Sequence, residues 1–443
     1  MRIPFAIQSL ALSGLLVSPA LAESPAAQSD DANAIIARQS VATPGTLTGE
    51  WGGLRSRLRD DGVDLTGGYV SESAWNVSGG QRNEVRETGQ FTFGATVATD
   101  KLLGVAGGTF QATITYRRGK DLGAAAGLGV LQQVQEVFGR GNTWRVTQFW
   151  YQQSFAGDLI NLKFGRLTQG EDFAAFTCEL QNLSFCGSPP GNLAGDYWYN
   201  WPISQWGARL RIKHDSLYAM VGAYEVNRHN LDKDFTVGHF HGASGVLIPF
   251  EAGYTPQIGS RGLPGAYRFG GWYNTANADD VALDINRGNR VVTGLAPLRR
   301  NGRYGFFAQF RQQFTGTVEE TPSGPRTSRG LVGFLNITQT DRKTTATDNQ
   351  IAAGVFYTGL IRSRPKDEFA LAIARTNVNA RSLLGFTPGA PRPNAEYATE
   401  LAYRIQAVSW LSVRPNVQYI VDPGGFELAK DVVVLGIKAS LTL

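Results

Sequence analysis

Charged side chains in this 443-residue sequence recur at every second position of extended segments, where they could act together on one solute. Arginine carries a planar fork of N–H donors and a carboxylate only accepts, so the two together suit a neutral, polyhydroxylated molecule. A nearby tryptophan adds a flat apolar surface for a ring face. The candidate residues are Arg117, Arg209, Arg211, Glu251, Arg268, Arg311, Glu396, Glu400, Arg404, Arg414, Trp198, Trp206 and Trp272.

The same charges also have a simpler interpretation. On one face of a sheet they would keep a water-filled wall hydrated and hold loops in place, without recognising anything. Basic residues outnumber acidic residues among the candidates, which would suit an anion or an organic acid equally well. All three interpretations stay open at this point.

Other constellations are weak. His239 and His241 would place two imidazoles on one side of an extended segment, but no third ligand is evident, so no metal site is predicted. A hydrolase would need a serine beside a histidine, and Ser412 lies far in sequence from every histidine. The prediction is a protein that is not an enzyme and has no cofactor.

Two cysteines, Cys178 and Cys186, lie close in sequence within a loop-like segment. In an oxidising compartment a local disulfide is the expected state. No histidine lies near them, so a metal site is a poor alternative.

The elements that must position the charged residues are strands, most clearly in residues 394–443. There Tyr397 and Leu401 alternate with Glu396 and Glu400, which gives one apolar and one charged face. Soluble sandwiches alternate as well. The recurrence of the pattern to the last residue, with aromatic residues near strand ends, favours a transmembrane barrel that is apolar outside and polar inside.

The first 22 residues are typical of a secretory signal peptide, with Arg2, an apolar core over residues 10–17, and Ala20-Leu21-Ala22 as a small-x-small cleavage site. No other uninterrupted apolar run reaches the roughly 18 residues of a spanning helix. Membrane residence must then be through strands. The predicted location is the outer membrane of a Gram-negative bacterium.

The rest of the chain divides into two predicted parts. Residues 23–62 form a leader and a short periplasmic helix, in which Trp51, Leu54 and Leu58 fall at helical spacing. Residues 63–443 form one all-β domain, an antiparallel transmembrane β-barrel of about sixteen strands, wide enough for an aqueous channel.

The predicted strands are joined by short links after strands four, six and fourteen, by intermediate links after strands two, eight and twelve, and by long links after strands three, five, seven and nine. They cover residues 63–71, 90–99, 108–117, 143–155, 159–166, 205–213, 217–227, 245–254, 266–274, 303–314, 330–338, 350–358 and 368–376, followed by the last three. The link over residues 167–204 carries both cysteines and is expected to fold inward and narrow the pore. A short helix is predicted at 129–138, and the link at 315–329 is longer than the rule expects.

The formal net charge of +5 is small and dispersed, which argues against a nucleic-acid partner. The predicted partners are small-molecule sugars together with outer-membrane lipid and lipopolysaccharide. The predicted assembly is a monomer or a homotrimer.

Several motifs carry a family resemblance. They are Glu50-Trp51-Gly52-Gly53-Leu54-Arg55, then residues 164–167, 172–174, 185–187 and 199–206, and finally residues 263–265, 271–273 and 364–367. These motifs resemble the signatures of the carbohydrate-selective porins of the OprB type. The resemblance implies a sixteen-stranded outer-membrane barrel for passive diffusion of sugars, with glucose as the typical solute. Leu443 departs from the Phe or Trp that usually ends such strands.

Two alternative functions remain beside a sugar porin. The surplus of basic residues on the predicted inner wall would suit a porin selective for anions or organic acids, or a general diffusion porin. The long outward loops could instead plug the barrel and leave a structural barrel or an adhesin.

Overall fold

The computed structural model describes residues 45–321, 324–383 and 391–443. The predicted signal peptide and residues 23–44 of the leader lie outside this part of the chain. Sixteen strands form the wall of the structure. They are β1 (Val63–Ser78), β2 (Val85–Ala98), β3 (Gly108–Gly119), β4 (Thr143–Phe155), β5 (Ile160–Leu167), β6 (Gln205–His214), β7 (Leu217–Asn227), β8 (Ala243–Tyr254), β9 (Leu263–Asn274), β10 (Arg303–Gln313), β11 (Gly324–Thr340), β12 (Thr347–Thr358), β13 (Glu368–Val378), β14 (Ala395–Val408), β15 (Leu411–Val421) and β16 (Val432–Thr442).

The wall closes into a barrel because each strand pairs antiparallel with the next and β16 pairs with β1. This confirms the predicted fold class. The shorter elements outside the wall are the helices Leu54–Asp60, Thr99–Leu103, Leu122–Ala126, Gln169–Asp172, Pro189–Leu193 and Arg290–Thr293, and the strands Gln257–Ile258, Ala278–Asp284, Pro297–Arg300 and Thr317–Thr321. Among the described residues, no helix is long and apolar enough to cross a membrane.

Alternation along each strand determines which side chains face outward. On β14, Leu401 is exposed on the outside while Glu400 is fully buried inside, and on β16 Ile437 faces outward beside the inward Lys438. Successive strand residues point to opposite faces, so one face meets lipid and the other faces the barrel interior. The predicted alternation of the closing strands is therefore confirmed.

Three local features differ from the sequence-based expectation. β1 continues to Ser78: Trp75 and Val77 keep its outward parity, but Ser71 and Ser73 on the same face interrupt the apolar alternation. Part of the long link after β10 is a hairpin in which Thr317–Thr321 pairs with the start of β11. The helix predicted at 129–138 is wrong: the α-helix is Leu122–Ala126, whose start is capped by the side chain of Asp121, and only a short 3-10 turn follows at Glu136–Phe138.

The helix α1 (Leu54–Asp60) joins the seam where the barrel closes. Gly52 and Gly53 have φ of 65° and 87°, a left-handed backbone that favours glycine and turns the chain into α1. Arg55 is buried, and its guanidinium donates to the carbonyls of Leu443 and Leu65 at 2.9 Å each. One side chain therefore joins the entry to β1 with the end of β16.

Replacing Arg55 by alanine should lower the free energy of unfolding by about 2–4 kcal/mol, because two partly buried carbonyls lose a charged donor. Urea unfolding in lipid vesicles, followed by tryptophan fluorescence, would measure the change. Arg57→Ala is the matched control, since Arg57 is exposed on the same helix and should shift stability by less than about 0.5 kcal/mol. Equal effects of the two variants would contradict the seam role.

The outward loops are tied together by a buried carboxylate, Asp280. It pairs with Arg300 at 2.6 Å and with Arg381, from the loop after β13, at 2.9 Å. Burial opposes ionisation of Asp280, but hydrogen bonds from the amides of Ala282 and Leu283 and from both arginines lower its pKa to about 2. The carboxylate is therefore charged at neutral pH and links two outward loops.

Candidate functional site

The loop between β5 and β6, residues 168–204 and called L3 below, crosses the barrel interior. The amide of Ala174 donates to Glu251 on β8 at 2.7 Å. Further along the loop, the amide of Gln181 donates to Glu400 on β14 at 2.9 Å. L3 therefore spans from one wall to another, and the prediction that this loop folds inward agrees with its position.

A disulfide joins Cys178 and Cys186 in the middle of L3. Between them, the side chain of Asn182 accepts from the amide of Ser184 at 2.9 Å and begins the 3-10 turn Leu183–Phe185. The covalent link and the capped turn give this part of L3 a defined shape next to the wall.

L3 packs on an inner wall that is apolar at this position. Phe176 and Phe185 contact inward-facing alanines of β13, among them Ala370 and Ala372, together with Phe334 of β11. Alanine leaves the space that the phenylalanine rings fill. The inner face of β11–β14 is therefore partly apolar, which differs from the uniformly polar interior expected from sequence.

The three tryptophans predicted as stacking surfaces are not available for stacking in the lumen. Trp198 of L3 and Trp272 of β9 are 0% and 1% exposed and pack against each other with ring centroids 5.1 Å apart. Trp206 shares the outward face of β6 with Leu210 and stacks on Phe240. Trp198 and Trp272 are buried because L3 covers β9. Trp206 points away from the lumen because it occupies an outward-facing position of β6.

One end of L3 is held by a buried ion-pair cluster. Asp172 lies 3.1 Å from Nζ of Lys163 and 3.6 Å from Nε of Arg209. Lys163 also lies over the ring of Trp150, 4.4 Å from its centroid. Burial alone would raise the pKa of Asp172, but Lys163 and then Arg209 lower it. Asp172 is therefore an ionised anchor between L3 and β5–β6.

A second set of charges lies beside the disulfide and is partly open to the interior. We call Glu179, Glu368, Arg404 and Arg414 the charged cluster. Arg414 donates to Glu179 at 2.7 Å and to Glu368 at 3.0 Å, and Arg404 lies 3.9 Å from Glu368. The side chains of Glu179, Glu368 and Arg404 are 27%, 14% and 20% exposed.

Electrostatics keeps the L3 member of the charged cluster ionised. Burial opposes the charge on Glu179, but Arg414 and, at longer range, Arg404 lower its pKa. A carboxylate and two guanidinium groups thus lie side by side where the inner wall meets L3. Together they offer hydrogen-bond acceptors and donors at one level of the channel.

Three glutamates predicted to contact a solute instead anchor loops. Glu251, Glu396 and Glu400 are buried on the inner wall and accept hydrogen bonds from backbone amides. Their donors are Ala174 for Glu251 at 2.7 Å, Leu131 and Gly424 for Glu396 at 2.6 and 2.9 Å, and Gln181 and Asn182 for Glu400 at 2.9 and 2.8 Å. The loops cover these carboxylates, so in this structure their hydrogen bonds hold the loops to the wall.

Two of the predicted arginines also hold irregular segments. Arg117 of β3 donates to Gln90 at 2.7 Å and to the carbonyl of Gly139, in the loop after β3, at 2.8 Å. Arg211 of β6 donates to Asp158 in the short link after β4 at 2.9 Å. Both face inward as predicted, and these hydrogen bonds hold a loop and a link against the wall.

The remaining two predicted arginines, Arg268 and Arg311, lie on β9 and β10. These strands are in the part of the wall between the Asp172 anchor and the disulfide of L3. Arg268 donates to the carbonyl of Ala175. Arg311 lies over the ring of Phe356, with 5.7 Å between the guanidinium carbon and the ring centroid. Both are partly exposed and remain candidates for lining the passage.

Sequence reasoning missed three charged residues of this site. Glu368 shares the inward face of β13 with Ala370, so strand parity would have revealed it. Asp172 and Glu179 lie in L3, which has no periodic pattern, so their orientation toward the wall arginines had no sequence signal.

A closed barrel of sixteen strands, narrowed by an inward loop and lined there by charged side chains, defines an outer-membrane porin. The family model for "Carbohydrate-selective porin, OprB family" matches residues 82–443 of this chain. The chain belongs to this family, and it is a sugar-selective channel of the Gram-negative outer membrane.

Curated relatives agree over nearly the whole length. Porin B of Pseudomonas aeruginosa is 40% identical over 417 residues, covering 88% of this chain and 90% of the relative. The "Putative porin QuiX" of Acinetobacter baylyi is 30% identical over 423 residues, covering 89% and 92%. The high-pH structure of Pseudomonas putida OprB aligns with a TM-score of 0.84 at 36% identity, covering 90% of this chain and 99% of that one.

Proposed function

We propose that the solutes of this channel are neutral monosaccharides such as glucose, and that they pass along L3 beside the charged cluster. The observation that carries the proposal is the pairing of Arg414 with both Glu179 and Glu368, next to the partly exposed Arg404. Each sugar hydroxyl can donate and accept, so it can exchange partners between a carboxylate and a guanidinium.

Charge balance favours a neutral solute over an anion at this level of the channel. The inner wall carries a surplus of arginines, but L3 adds Asp172 and Glu179 directly against Arg209 and Arg414. An anion would meet the partly exposed carboxylate of Glu179 and lose part of the attraction. A neutral polyol does not incur this repulsion.

Glu179→Gln tests the proposal because it removes one charge and keeps the side-chain size. We expect sugar affinity to fall roughly tenfold, since a charged hydrogen-bond partner is lost. We also expect a shift of ion selectivity toward anions, because Arg404 and Arg414 retain their charge. Planar-bilayer recordings would measure both, through glucose-dependent block of the ion current and the reversal potential in a salt gradient.

The matched control for this test is Glu84→Gln. Glu84 pairs with Arg86 at 2.8 Å just before β2 and lies away from L3. We expect its glucose block and reversal potential to match those of the unmodified protein. Unchanged glucose block in Glu179→Gln would reject the charged cluster as the sugar contact, and a strong anion preference of the unmodified channel without sugar block would favour the anion-channel alternative.

We also infer that the chain has no catalytic activity and that selectivity arises from binding alone. The inference is supported by the family and the curated relatives, which are described as porins.

A further inference from the structure

The loop between β7 and β8, residues 228–242 and called L4 below, gathers ligating side chains that the sugar passage does not use. Three of the four histidines of the chain lie in it, together with Asp232 and Asp234. Sequence analysis found no third ligand for His239 and His241, but the fold brings His229 from the other arm of L4 next to His239. Their ring centroids are 6.0 Å apart.

Asp232 lies near metal-ligand spacing from each of the two imidazoles. Nδ1 of His229 lies 3.0 Å from Oδ2 of Asp232, and Nδ1 of His239 lies 3.9 Å from the same oxygen. Two ligands of one tetrahedral zinc ion lie about 3.3 Å apart, given zinc–ligand bonds near 2.0–2.1 Å. The three donor atoms do not all lie within 4.8 Å of one another, so the His239 ring must move toward His229 when an ion binds.

A fourth residue is placed to orient one of the imidazoles. Nε2 of His239 lies 3.4 Å from Oδ2 of Asp234. When a histidine binds a metal through one ring nitrogen, the other usually donates to a carboxylate, which fixes the tautomer and the ring orientation. Asp234 can supply this contact while Nδ1 of His239 faces the shared site.

The backbone that carries these side chains is held by a buried residue. The side chain of Asn227 accepts from the amide of His229 at 3.1 Å and donates to the carbonyls of His239 and His241 at 3.2 and 3.0 Å. It therefore joins the two arms of L4. Gly242 has φ of 95°, and a Cβ there would lie 2.7 Å from the His229 ring, so only glycine allows this close approach.

A second anchor fixes the first arm. Arg145 of β4 is buried and donates to the carbonyls of Asp232 and Leu231 at 2.7 and 3.2 Å. The side chains of His229, Asp232 and His239 remain 48%, 49% and 31% exposed. A buried scaffold thus presents two imidazoles and a carboxylate to the outside, which is the arrangement of a surface metal site.

We propose that L4 binds one Zn²⁺ ion through Nδ1 of His229, Oδ2 of Asp232 and Nδ1 of His239, with water as the fourth ligand. On binding, Nδ1 of His239 gives up its hydrogen bond to the carbonyl of His229, and the ring proton resides on Nε2, where it donates to Asp234. Asp234 is a positioning residue in this site.

A competing cluster within the described residues does not offer a zinc site. Glu136, Cys178 and Cys186 already place ligating atoms within 4.8 Å of one another. The two cysteines form a disulfide, which removes the thiolates that zinc would need. In L4 the donor atoms surround an ion only when its binding draws the two imidazole rings together.

Isothermal titration of the folded, detergent-solubilised protein with ZnCl₂ tests the proposal. The protein must be purified without a polyhistidine tag. We expect one ion per chain, binding at least about tenfold weaker in His229→Ala and in His239→Ala, and weaker in Asp234→Asn. Ca²⁺, which prefers all-oxygen sites, should not compete. Binding should also weaken at acid pH, because imidazole ligands must be deprotonated.

His214→Ala is the matched control. His214 pairs with Asp215 at 3.3 Å in the link after β6, but no second imidazole is placed with them. This variant should keep the zinc affinity of the unmodified protein. Unchanged affinity in the His229→Ala, His239→Ala double variant, equal losses in His214→Ala, or no zinc binding by the unmodified protein would each overturn the L4 site. Heat-dependent mobility on SDS gels checks that every variant retains the folded barrel.

Discussion

Replacing Glu400 by alanine is expected to release L3 from β14 and to widen the channel. In the folded protein, the carboxylate accepts from the amide of Gln181 at 2.9 Å and from the amide of Asn182 at 2.8 Å. Removal of the carboxylate leaves both buried amides without this acceptor and should cost about 2–6 kcal/mol, because each unsatisfied buried donor costs about 1–3 kcal/mol. Single-channel conductance should increase several-fold as the loop moves away from its position across the lumen.

The measurement combines single-channel recording with urea unfolding in vesicles. Glu427→Ala is the control, since Glu427 is an exposed glutamate in the loop after β15. It should leave both the conductance and the stability unchanged. If Glu400→Ala kept the conductance of the unmodified protein and lost only sugar block, Glu400 would be a solute contact and the anchoring role would be rejected.

The barrel could be predicted from sequence because its signal is local and periodic. Alternation such as that of Leu401 and Glu400 on β14 identifies a strand, its two faces and its place in a membrane barrel without knowledge of any contact. The same periodicity placed Arg404 and Arg414 on the inner wall. The positions of the strands and the direction of their side chains were together sufficient to predict the barrel.

The site was harder to predict because an irregular loop determines which wall residues remain accessible. Glu251 and Glu400 have the correct parity, but L3 covers them, and their carboxylates accept backbone amides. Trp272 also faces inward and is buried by Trp198 of L3. Strand periodicity gives the direction of a side chain but not what lies against it. Loop packing therefore determines which inward-facing side chains stay accessible to a solute and which are covered.

Asp172→Asn should detach the start of L3, with an effect as large as that of Glu400→Ala on the middle of the loop. Lys163 and Arg209 are nearly completely buried, and Asp172 is the carboxylate placed between them. Removing its charge leaves two cations in the interior without this counter-charge, which typically costs about 3–5 kcal/mol for a broken buried pair. We expect a lower midpoint in urea unfolding, together with a higher and more variable conductance.

The control for this substitution is Asp196→Asn, in the same loop. Asp196 is 77% exposed on its side chain and lies 3.7 Å from Arg140, so its replacement should change stability by less than about 0.5 kcal/mol. Equal unfolding midpoints for the two variants would show that the Asp172 cluster does not hold L3.

The pH dependence of stability provides an independent test of the Asp172 anchor. Because the pKa of Asp172 is lowered below its ordinary value of 3.8 in the folded protein, its stabilisation is complete above that value. The stabilisation is lost as the pH falls below 3.8 and through the lower pKa of the folded state. Unfolding midpoints of the unmodified protein and of Asp172→Asn should therefore differ at neutral pH and converge in strong acid, since protonation and amidation both remove the charge that opposes Lys163 and Arg209.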